Sequence, residues 1–123
     1  MCHIDKATVA RMNLNSIITV YIWEALLGVA TKKMRAITSN HQGEFLEVVF
    51  FFDSKLTQEE DAEMRKINNS IIYNVMPAVY NSEGEPIITV KEVDLTFIII
   101  PSDMDILDKR MNIGWHYLRK EYL

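Results

Sequence analysis

Apolar residues recur along this chain with two different periods. Ile18, Ile22, Ala25, Leu26 and Val29 fall at steps of three and four, the spacing that lays one stripe along a helix. Ile17 and Tyr21 widen the stripe, Asn13 or Asn15 is placed to cap its start, and Lys32 and Lys33 suit the negative end of the helix dipole. The pattern predicts a first helix over about residues 15–32. Residues 1–12 lack this periodicity and read as a flexible N-terminal tail, leaving 13–123 as one domain.

Met34 to Thr38 and Phe45 to Asp53 are apolar runs around the polar break Ser39-Asn40-His41-Gln42-Gly43, which predicts a β-hairpin. The second run, Phe45 through Phe52, is almost continuously apolar, as expected of a central strand buried on both faces. Next comes a helix start. Thr57 with Glu60 three residues later has the spacing of a capping box, and Glu59, Glu60 and Asp61 favour the positive end of a helix. Met64, Ile67, Ile71 and Val75 make its buried stripe and Pro77 stops it, so a second helix is predicted over about 58–76. Turn residues mark Asn81 to Pro86 as a loop, Ile87 to Ile100 reads as one strand ended by Pro101, and residues 102–112 read as a polar loop. Gly114 to Glu121 alternates aromatic and charged residues, the pattern of a half-exposed last strand. The order is αββαββ, an α+β fold with a four-stranded, largely antiparallel sheet packed against two helices.

At 123 residues the chain has material for one core, and 49% hydrophobic with 24% charged residues is a globular balance. Its one cysteine, Cys2, excludes an internal disulfide framework and favours a reducing compartment, so a cytoplasmic location is expected. The longest apolar stretch, Ile17 to Ala30, is too short for a bilayer and carries Glu24, which argues against membrane insertion. The net charge of −4 is uneven: Asp53 to Asp108 carries −8 and the remainder +4. The middle of the chain therefore repels nucleic acid and attracts basic proteins.

The strand beginning Met34-Arg35-Ala36-Ile37, the aromatic strand ending Phe51-Phe52-Asp53, the helix opening Leu56-Thr57-Gln58-Glu59-Glu60-Asp61 and the closing Gly114 and Tyr117-Leu118-Arg119-Lys120-Glu121 together resemble small bacterial immunity proteins, especially those of contact-dependent growth inhibition systems. The resemblance runs from about Ala25 to Glu121. It implies a protein that binds and neutralises a cognate toxin C-terminal domain, often a nuclease acting on tRNA. An adaptor or self-associating structural protein, dimerising through the strand near Trp115 and Tyr117, is the alternative.

A nuclease site holds phosphates with cationic side chains, so an inhibitor that presents carboxylates can plug it and speed encounter. Two acidic sets qualify as partner-binding residues: Asp53, Glu59, Glu60, Asp61 and Glu63 around the start of the second helix, and Asp103, Asp105 and Asp108 in the loop after the long strand. Each also has a plain reading as a cap or solvated surface, and the docking reading needs the carboxylates to share one surface. Glu83 and Glu85 beside Gly84 are a weaker candidate. Asp103-x-Asp105 lacks the remaining ligands of a calcium loop. His3, His41 and His116 lack zinc-site spacing, and Cys2 has no basic cluster to activate it. With no phosphate loop or nucleophile motif, neither metal, cofactor nor catalysis is expected, and a monomer is favoured.

Overall fold

The computed structural model describes residues 6–26 and 32–119, with side chains from residue 13 onward. The elements are α1 (Lys6–Ala25), β1 (Met34–Gln42), β2 (Phe45–Phe52), α2 (Gln58–Val75), β3 (Ala78–Tyr80), β4 (Pro86–Thr89), β5 (Glu92–Ile99) and β6 (Gly114–Leu118), with a single 3-10 turn at Leu107–Lys109. The fold is α+β. A four-stranded sheet in the order β5-β2-β1-β6 carries both helices on one face, and β3 with β4 makes a small separate hairpin.

β2 lies inside the sheet, as its unbroken apolar run requires. It pairs antiparallel with β1 and parallel with β5, while β6 runs antiparallel along the far side of β1. The parallel pairing arises because α2 and the small hairpin carry the chain back before β5 begins. Side chains alternate across β2: Leu46, Val48, Phe50 and Phe52 face the helices, whereas Val49 and Phe51 face the opposite side. The helix-side core adds Leu14, Ile18, Ile22 and Leu26 from α1 and Met64, Ile67, Ile71 and Val75 from α2.

Thr57 caps α2 as its spacing predicts. Its hydroxyl accepts from the Glu60 amide, and the Glu60 carboxylate accepts from the Thr57 amide. Three expectations change. Helix α1 starts at Lys6, inside the segment read as a tail, and ends at Ala25; Val29 lies outside the described residues. Lys6 to Met12 contains no glycine or proline, so no breaker interrupts the helix before Asn13. Asn15 therefore sits within the helix instead of capping it.

The polar break at Ser39 to Gln42 belongs to β1, and the turn narrows to Gly43 and Glu44, with Gly43 at φ +63°. Those polar residues are paired: Ser39 with His116, and the His41 backbone with the Asn112 side chain. Finally, the run from Ile87 to Ile100 breaks into two strands in different sheets. At the break the Val90 amide donates to Pro77 and the Lys91 amide donates to Glu44.

Candidate functional site

The sheet face away from the helices is covered by a strap, residues 100–113. Ile106 is its plug, fully buried against Ala36, Val49 and Phe51. Ile100, Met111, Trp115 and Leu118 pack around that cluster. Fastening is by hydrogen bonds towards its two ends. The Ile100 amide donates to Phe52, the Met111 amide to the Thr38 hydroxyl, and the Ile113 amide to Ser39. The Thr38 hydroxyl in turn donates to the Gly114 carbonyl at 2.7 Å.

Beneath the strap lies Arg35, 1% exposed. Nη1 donates to the carbonyls of Ile100 and Pro101, both at 3.0 Å, and Nη2 donates to that of Met104 at 2.8 Å. A buried guanidinium is costly unless its hydrogens are used, so this residue ties the strap to the sheet at three carbonyls. This role is not legible in the sequence, because a basic residue at the start of a strand reads as exposed.

The strap presents Asp103, Met104, Asp105, Leu107 and Asp108 to solvent. Met104 is 57% and Leu107 48% exposed, large apolar values for a surface held this firmly. Asp105 turns one oxygen back to the Leu107 amide at 3.0 Å, which starts the 3-10 turn. Asp108 has a loose contact with Lys109 at 4.0 Å. Carboxylates and apolar side chains thus alternate on a pre-shaped loop.

The helix-side set differs. Asp53 accepts from Arg119 Nη1 at 2.7 Å, and that hydrogen bond holds its carboxyl below the usual range against the opposing effect of burial. Glu60 is taken by the capping box and by Lys33 Nζ at 2.6 Å. Asp61 pairs with Arg65 and Glu63 with Lys66, both at 2.8 Å along the helix. Glu59 is exposed. The eight acidic candidates do not share one surface, so the docking reading fails for the two sets taken together and can hold only for one set by itself. α2 packs on the helix-side core and the strap on the opposite core, with Asp53 at the sheet end between them. Alternation along β2 gives the sheet two apolar faces, one covered by α2 and the other by the strap, and so the two sets are held apart, a separation invisible in their sequence spacing.

His116 is 6% exposed and sits between α1 and the sheet. Thr19 Oγ1 donates to the Asn15 carbonyl at 2.7 Å, so the same oxygen accepts from His116 Nδ1 at 2.8 Å. Nε2 is left to accept from Ser39 Oγ at 2.6 Å. The network assigns the Nδ1–H tautomer. Burial lowers the imidazole pKa to about 4, so the ring is neutral and structural.

Trp23 meets Tyr117 edge-on at 5.5 Å, and Trp115 meets Phe51 at 6.3 Å. Among the described residues no group of three metal-ligating side chains converges. None of their helices is long and apolar enough to cross a membrane.

Residues 15–121 match the MafI2 immunity protein family. The chain belongs to that family. Immunity proteins neutralise toxins by binding them, so the exposed surface of the strap belongs to a protein whose work is recognition of a cognate toxin. No curated protein matches the chain. The match bears out the resemblance as far as an immunity protein of a toxin system, with no specific tie to contact-dependent growth inhibition, and it covers the strap and both acidic sets.

Proposed function

We propose that this immunity protein binds its toxin one-to-one in the cytoplasm and seats the strap Asp103–Asp108 in a cationic active site, without catalysis of its own. The toxin that fits is a basic nuclease domain, of the kind that acts on tRNA, because such a site must hold phosphates with Lys and Arg. The observation that carries this reading is the strap itself. Asp103, Asp105 and Asp108 alternate with exposed Met104 and Leu107 on a loop that buried Arg35 and Ile106 hold in shape. Carboxylates steer encounter, while the apolar side chains supply contact area once water is expelled. A loop already ordered before binding loses little entropy on docking.

The helix-side carboxylates Glu59, Glu60, Asp61 and Glu63, with Asp53, take a secondary part at most in this reading, since four of the five are engaged within the chain. The test is to mix the purified chain with its cognate toxin domain and follow association against salt. Replacing Asp103, Asp105 and Asp108 by Asn should slow association and flatten its salt dependence. Unchanged rates would move the interface elsewhere.

The alternative is self-association through the strand near Trp115 and Tyr117, which ends the sheet order β5-β2-β1-β6; a dimer that persists on dilution in a sizing experiment would favour it.

A further inference from the structure

We propose that the outer edge of β5 is a second docking site, at which an extended segment of the bound toxin adds to the sheet as a fifth strand. The inference rests on the toxin-binding reading above and specifies a different contact surface.

β5 ends the sheet order β5-β2-β1-β6. The Glu92 amide donates to Glu44 and the Ile100 amide to Phe52, so even-numbered residues of β5 aim their main chain at β2. The N–H and C=O groups of Val93, Leu95, Phe97 and Ile99 therefore point outward, and no neighbouring strand meets them among the described residues.

Proteins blunt long open edges with charge. Glu92 and Asp94 do so along the first half of β5. The second half instead exposes Ile98 and Ile99, at 37% and 49%, one on each face. A groove lies beside each. The one by Ile98, of about 400 Å³, runs past Val49, Phe51 and Met111. The one by Ile99, of about 420 Å³, runs past Phe52, Leu56 and Phe97. Successive side chains of an added strand point to opposite faces, so one strand along this edge fills both grooves.

Charge selects the occupant. Glu92 and Asp94, with Glu47 directly beside Asp94 in the β2–β5 register, make the first half of the edge anionic. A second copy of β5 has no Lys or Arg between Glu92 and Ile99 to meet them. The segment that fits carries Lys or Arg opposite Glu92 and Asp94, and apolar residues opposite Ile98 and Ile99.

Amide hydrogen exchange on the chain, alone and with its cognate toxin domain, tests this directly. The Val93, Leu95, Phe97 and Ile99 amides should slow by about tenfold or more in the complex only. Ile99→Lys, checked for folding by thermal melting, should weaken the complex by about tenfold, the equivalent of one well-packed contact. A complex that protects only the strap, with β5 exchanging as in the free chain, overturns the edge site and leaves toxin binding standing. Failure to form any complex overturns both. Slowing of the β5 amides in the chain alone, growing with its concentration, hands the edge to a second copy and overturns the proposal.

Discussion

Arg35 Nη2 donates to the carbonyl of Met104 at 2.8 Å, which joins a fully buried strand residue to the most exposed apolar side chain of the strap. With the bonds to Ile100 and Pro101, one guanidinium sets the conformation of the loop that carries Asp103, Asp105 and Asp108. Replacing it by Met keeps the volume but strands three carbonyls. Arg35→Met should cost roughly 3–5 kcal/mol of unfolding free energy in urea, the scale of a broken buried polar network. Amide exchange across residues 102–109 should rise more than in α2.

His116 supplies a pH dependence with a definite sign. Its folded pKa of about 4 lies below the ordinary 6.5, so between those values the unfolded chain binds a proton that the folded chain refuses. Stability is therefore full above pH 6.5 and falls as pH drops towards 4, by roughly 3 kcal/mol for a shift of this size. Asp53 acts in a separate window. Its pKa is lowered from 3.8, so its stabilisation is lost only below that value. Urea unfolding at pH 7.5, 5.5 and 4.5 should show the histidine effect, and a His116→Gln variant should lose most of that slope.

The two acidic sets should respond differently to mutation. Asp103→Asn, Asp105→Asn and Asp108→Asn together should leave stability within about 0.5 kcal/mol while slowing toxin association. Glu60→Ala removes half the capping box and the partner of Lys33, so it should cost about 1 kcal/mol of stability with little effect on association. Equal effects on association from both sets would contradict the assignment of the interface to the strap.

Gly114 has φ +104°, and a Cβ there would lie 3.2 Å from Asn15 Nδ2. That nitrogen donates to the carbonyls on either side of Gly114, at Ile113 and Trp115. Gly114→Ala should destabilise by roughly 1–3 kcal/mol, from the backbone conformation and from displacement of Asn15. Thermal melting reads this, and Asn15→Ala in the same background should add less than it does alone, because the two changes strike one contact.

Local signals carried much of the fold. Thr57 and Glu60 announced the start of α2, its stripe of Met64, Ile67, Ile71 and Val75 is buried as read, and the apolar run of β2 lies inside the sheet. Each depends on residues within a few positions of one another. Ser39 was misread as loop because its partner, His116, lies 77 residues away. The small hairpin of β3 and β4 was hidden because β3 has only three residues. For the site, the strap carboxylates were legible as exposed charge, while Arg35 was not legible as their support.

By itself the sequence determined the two helices, the central aromatic strand and the surplus of negative charge between Asp53 and Asp108, since periodicity, capping and composition are properties of neighbouring residues. Only the tertiary structure decided which carboxylates stand free. Pairing of Asp53 with Arg119 and of Glu60 with Lys33 joins residues 66 and 27 positions apart. Because alternation along β2 makes both faces of the sheet apolar, α2 covers one and the strap the other. Charge alone marked the middle of the chain as a surface for a basic partner, and packing decided that its two acidic sets point different ways.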